Sequence, residues 1–120
     1  MTKKTVPVKG VVSSYAVVLA AAIHKSCEKV KASEAGEPLK AGFEEFAKTI
    51  KDAAGGLDEA AQWLLADDFE TFAKEAIRSA PRLGMIVAVA KALTETLAMA
   101  GGLASPSLAA LDKIMDLLDA

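Results

Sequence analysis

Leu83-Gly84-Met85-Ile86-Val87-Ala88-Val89-Ala90-Lys91-Ala92-Leu93-Thr94-Glu95-Thr96-Leu97-Ala98-Met99-Ala100 is the stretch on which the fold turns. Leu83, Met85, Ile86, Val87, Val89, Ala90, Leu93, Leu97 and Ala98 leave its first half apolar almost all round. A helix with that pattern is normally the centre of a bundle, because any face turned to water would expose hydrocarbon. With Lys91 inside it, the run falls short of the ~18–20 uncharged apolar residues of a membrane span. Val11–Ile23 is the other long apolar run, and it is too short as well.

Working outward, the neighbouring segments also read as helices. Gly101-Gly102 closes the central stretch, and Ser105-Pro106 is an N-cap followed by proline at the first helical position, the clearest helix start in the chain. The last helix carries Leu108, Leu111, Ile114, Met115 and Leu118 on one wide stripe. Upstream, Asp67-Asp68-Phe69-Glu70 places Glu70 three residues after Asp67, the spacing of a capping box, so a fourth helix is expected to start there. Its stripe is Phe69, Phe72, Ala73, Ala76 and Ile77, and Pro81 ends it. A short third helix precedes it, capped by Asp58 and carrying Ala60, Ala61, Trp63 and Leu64. The second helix opens at Pro38, runs through Leu39, Phe43, Phe46, Ala47, Ile50 and Ala54, and stops at Gly55-Gly56. The first is expected from about Ser13 to Ala35, with Tyr15, Val18, Leu19, Ala22, Ile23 and Val30 near helical period and Val17 off that face. Residues 1–10 read as an extended arm, since Pro7 disfavours helix before it and Gly10 punctuates. Val6–Val12 is the only β-like run, and Pro7 and Gly10 break it. The expected fold is all-α, a compact bundle of five or six helices over residues 11–120 with no β-sheet. The first and fifth helices should form its inner layer.

Composition agrees with this. Of 120 residues, 25 are alanine, the best helix former, and only 5% are aromatic. Apolar residues make up 52% and charged residues 25%, a globular balance that needs no disulfide or metal staple at this length. The formal net charge of −2 argues against nucleic-acid binding, which needs a basic surface to release counterions. The basic cluster Lys3, Lys4 and Lys9 is explained by a short solvated arm. Cys27 is the single cysteine, so no internal disulfide forms and a reducing, cytoplasmic compartment is expected. A secretory leader over residues 1–22 is the alternative: Lys3 and Lys4 precede an apolar run, and Ala20-Ala21-Ala22 has the form of a cleavage site. Ser13, Ser14 and Tyr15 interrupt that run.

Reactive side chains are sparse. His24, Cys27 and Glu28 share one face of the first helix, but a zinc site needs four ligands, and nucleophilic catalysis needs an orienting third group and an oxyanion site. Glu44-Glu45, Asp58-Glu59 and Asp67-Asp68 have sufficient roles as helix caps or solvated charges, and a single histidine cannot supply the paired Glu-x-x-His elements of a di-iron bundle. The glycine pairs lack the strand–loop–helix context of a phosphate loop. A helix-turn-helix drawn through the third and fourth helices would present Glu70, Lys74, Glu75 and Arg78, a mixed face that repels phosphate as much as it attracts it. Phe43-Glu44-Glu45-Phe46-Ala47-Lys48 recurs as Phe69-Glu70-Thr71-Phe72-Ala73-Lys74, which a shared helical periodicity explains without a duplication.

No catalytic residue, metal site or cofactor is therefore expected. The mean hydropathy of +0.30 suggests more apolar helical surface than one small domain can hide. The expected function is a non-catalytic protein–protein interaction module that self-associates or binds a protein partner. Its candidate interface is Leu108, Leu111, Met115 and Leu118, which approximate a heptad seam on the last helix. A reversible membrane-surface protein is the first alternative. A small metal-binding or catalytic protein centred on His24, Cys27 and Glu28 is the second.

Overall fold

The computed structural model describes residues 8–119, with side chains described from Val17 onward. Five α-helices and one 3-10 turn make up the fold: α1 (Val8–Ala32), α2 (Glu37–Ala54), α3 (Glu59–Ala76), α4 (Leu83–Ala98), the turn Gly101–Ala104, and α5 (Ser105–Asp119). There is no strand among the described residues. The protein is an all-α bundle.

Helix ends follow local chemistry. Val8–Gly10, expected in an arm, already belong to α1, and residues 1–7 of that arm lie outside the described residues. Glycine inside a helix costs only about 1 kcal/mol, less than the packing of a long helix returns. α1 stops before Ala35 because the Ser33 hydroxyl donates to the Val30 carbonyl at 2.6 Å and accepts from the Ala35 amide at 3.2 Å, diverting the backbone into a turn. At α3 the Asp58 carboxylate accepts from the Ala61 amide at 2.9 Å, as its N-cap position requires. Gly101 has φ +62, a left-handed conformation suited to glycine, and it turns the chain out of α4.

Two expectations about the interior are overturned. The third and fourth helices are one continuous helix, α3, and Asp67 caps nothing. Leu65 and Ala66 before the expected break and Phe69 after it are all buried, so a break would withdraw one side or the other from the core. Asp68 is carried along half-buried, and burial together with the adjacent Asp67 pushes its carboxyl above the usual range. The second correction concerns the centre. α4 is peripheral: Ile86, Ala90, Leu93 and Leu97 are buried, while Leu83, Met85 and Val87 are exposed. It packs on α3 and only lightly on α5. The central position belongs to α3, which lies between α1 and α4. Its alanines at 61, 66, 73 and 76 are buried and let neighbouring helices approach closely.

α3 meets α2 through phenylalanines. Phe43, Phe46, Phe69 and Phe72 are buried to 1% exposure or less. Phe43–Phe69 and Phe46–Phe72 meet edge to face, with centroids 6.1 and 6.3 Å apart. Phe43–Phe72 and Phe46–Phe69 are tilted pairs at 5.4 and 5.5 Å. The two tilted pairs match one another, and so do the two edge-to-face pairs, so the rings of the two helices interlock in equivalent ways. The recurrent hexapeptide is thus a packing device in which each copy completes the other. Trp63, from the same aromatic set, is 44% exposed. α5 packs on α2, where Gly42 makes room: a Cβ there would lie 3.1 Å from Ile114 Cγ1.

Candidate functional site

The light contact between α4 and α5 leaves a groove of about 280 Å³ lined by Leu83 and Val87 from α4 and by Met115, Asp116, Leu118 and Asp119 from α5. Leu83 is 51% and Val87 55% exposed, high values for aliphatic side chains sharing one surface. The expected interface seam divides here. Met115 and Leu118 line the groove. Leu108 is half-buried against the chain's own core and lies outside the groove. Leu111 is 2% exposed, so it is a core residue and not a docking residue. Leu111 turns inward because α5 needs it, with Ala110 and Ile114, to bury its stripe. Leu83 and Val87 were absent from the expected seam, although the all-round apolarity of their helix was the signal that could have found them.

Asp116 and Asp119, about one turn apart on α5, line this groove, and no ion pair or hydrogen bond engages either of them among the described residues. The last turn of α5 holds no basic residue. The groove therefore combines apolar side chains with two unpaired carboxylates near the end of α5.

An ion pair between a buried carboxylate and an exposed arginine sets the position of α4. Glu75, at the end of α3, is 4% exposed. Its carboxylate accepts from Arg82 through Nε at 3.1 Å and through Nη2, and Arg78 stands 3.7 Å away. Arg82 is the N-cap residue of α4, so this fork ties the start of α4 to the end of α3. The Arg82 hydrogen bonds hold the Glu75 carboxyl below its usual range; burial pushes the other way and loses, and the charges of Arg82, Arg78 and Lys74 add to the depression. A carboxyl with a lowered folded-state pKa contributes stability that is complete above its ordinary value of 4.5 and fades as pH falls below it. Arg82→Ala should therefore destabilise the protein at about pH 7, and the gap from wild type should shrink toward about pH 3. Urea denaturation at both values measures this; a gap independent of pH would show that the fork is not its source.

His24, Cys27 and Glu28 are brought to a second groove, of about 430 Å³, between α1 and α2. Cys27 is half-buried and its Sγ faces the Phe43 carbonyl at 3.9 Å. Burial pushes the thiol pKa up, and Glu44 and Glu28 push it further, so the thiolate is disfavoured. Lys31 stands 3.7 Å from Glu28, and Lys40 3.8 Å from Glu37, so much of this rim pairs with itself. Among the described residues no three histidine, cysteine, aspartate or glutamate side chains are grouped to hold a metal ion. No described helix is long and apolar enough to cross a membrane.

No family model, curated protein or solved structure matches this chain.

Proposed function

We propose that the protein is a non-catalytic helical interaction module that uses the α4–α5 groove to engage a protein surface, its own or a partner's. One observation carries this reading. Leu83 and Val87, each more than half exposed, face Met115 and Leu118 across an open groove, so α4 and α5 stop short of burying their own facing side chains. Apolar surface concentrated in a concave site is what a helix or extended segment buries on binding. The protonated state favoured for the Cys27 thiol supports a structural role for α1 rather than nucleophilic chemistry.

The test is a double variant, Val87→Asp with Leu118→Asp. Neither side chain is fully buried, so the circular dichroism spectrum should be retained. Native mass by light scattering, for the purified protein and anything that co-purifies with it, should show association weakened by at least about tenfold, since charges desolvated in an apolar contact are costly. An unchanged mass distribution would overturn the reading.

A further inference from the structure

We propose that the occupant of the α4–α5 groove is residues 1–12 of a second copy, so that the protein self-associates head to tail. This rests on the reading of the groove as an interaction surface and names its partner.

Charge is the first argument. The carboxyl end of a helix is the negative end of its dipole and disfavours anions. α5 nevertheless carries Asp116 and Asp119 in its closing turns and no basic residue in its last turn. α1 has the opposite fault. Its positive end has no acidic residue in the first turn; in the sequence Lys3 and Lys4 precede that turn and Lys9 falls within it. Neither helix corrects its own mismatch. Placing the start of α1 beside the end of α5 corrects both at once. The same segment supplies Val6, Pro7, Val8, Val11 and Val12 as apolar partners for Leu83, Val87, Met115 and Leu118.

Reach decides whose segment it is. Two short connections, 33–36 and 55–58, reverse the chain twice, so α1 and α3 run in the same direction. Lys29, near the end of α1, shares a surface depression with Ile77, and residues 77–82 lead directly to Leu83. The groove thus opens at the carboxyl end of α1. From Val8 to Lys29 the helix runs about 32 Å, whereas residues 1–7 span at most about 25 Å when fully extended. The first residues of the same molecule do not fold back that far. A neighbouring molecule's do, and such an interface joins two different surfaces, so copies add in sequence rather than as a closed symmetric pair.

Light scattering and sedimentation of the full chain test this. Wild type should gain mass with concentration and lose it with added salt, because the contact is charge-dependent. One variant, Lys3→Glu with Lys4→Glu and Lys9→Glu, and another, Asp116→Lys with Asp119→Lys, should each associate at least about tenfold more weakly, since like charges then face each other. Mixing the two variants should restore association, because opposite charges again meet. All of these positions lie on the surface or near the chain start, and unchanged melting curves would confirm intact folds. Association that ignores both reversals but is lost with Val87→Asp and Leu118→Asp overturns this inference and leaves the groove reading standing. Association that ignores the groove variant as well overturns both. A wild type that stays monomeric over the whole range overturns the second-copy assignment. So does flotation with anionic phosphatidylserine vesicles that the lysine reversals abolish and the aspartate reversals do not, which would assign the basic segment to a lipid surface.

Discussion

Phe46→Ala should remove about 3–5 kcal/mol of folding stability and lower the melting temperature by roughly 10–20 °C. The Phe46 ring is fully buried between Phe69 and Phe72. Its loss forfeits the transfer free energy of the ring and leaves a cavity that helices on both sides cannot collapse to fill. Against a total of about 5–15 kcal/mol, that is a large share of what holds the domain together. The similarity of the two tilted pairs sharpens the expectation. Phe43–Phe72 and Phe46–Phe69 have matching geometry, so double-mutant cycles should give both pairs similar coupling energies, about 0.5–1.5 kcal/mol each. Thermal melts followed by circular dichroism measure all of these. A drop of only a few degrees for Phe46→Ala would mean that the quartet is not the centre of the core.

That centre was partly legible beforehand. The spacing of Phe43, Phe46, Ala47 and Ile50, and of Phe69, Phe72, Ala73 and Ala76, gives the buried faces of α2 and α3 directly, because a single apolar stripe has only one way to turn. The all-α class and the start of α5 at Ser105-Pro106 follow from equally local signals. What failed was non-local. The apolarity of α4 reads as centrality, yet Leu83, Met85 and Val87 are exposed, because nothing within a helix states how many neighbours will pack on it. Asp67 with Glu70 reads as a helix start, yet Leu65, Ala66 and Phe69 must lie on one unbroken rod to fill the core together. At the candidate site, Met115 and Leu118 were visible on their stripe. Leu111 was misplaced because a stripe does not show where its own chain stops covering it, and Leu83 and Val87 come from a helix with no contrast between its faces.

Ile114→Ala carries the second large effect, about 2–5 kcal/mol. Ile114 is fully buried and seated against Gly42 of α2. α5 depends on this seat more than a central helix would, since it packs chiefly on α2 and the adjoining 3-10 turn and touches α4 lightly. The loss should therefore be uneven. Hydrogen exchange should show amides of α5 losing protection before those of α3, because local opening follows the elements with least buried contact. Equal loss across both helices would mean that α5 unfolds only with the whole domain. A loosened α5 would also dismantle the groove, since Met115 and Leu118 belong to it.

α3 carries two conflicting instructions in one place. Its local code around Asp67 and Asp68, both poor helix formers, directs the chain to end one helix and begin another. Its buried neighbours Leu65, Ala66 and Phe69 demand that it continue. The native fold settles the conflict in favour of continuity, because burial of Leu65, Ala66 and Phe69 outweighs the local code. Most helices melt from their tips. In this one the weakest point of the local code coincides with a buried stretch of the rod, so the core and not the local sequence holds the middle of α3 in helix.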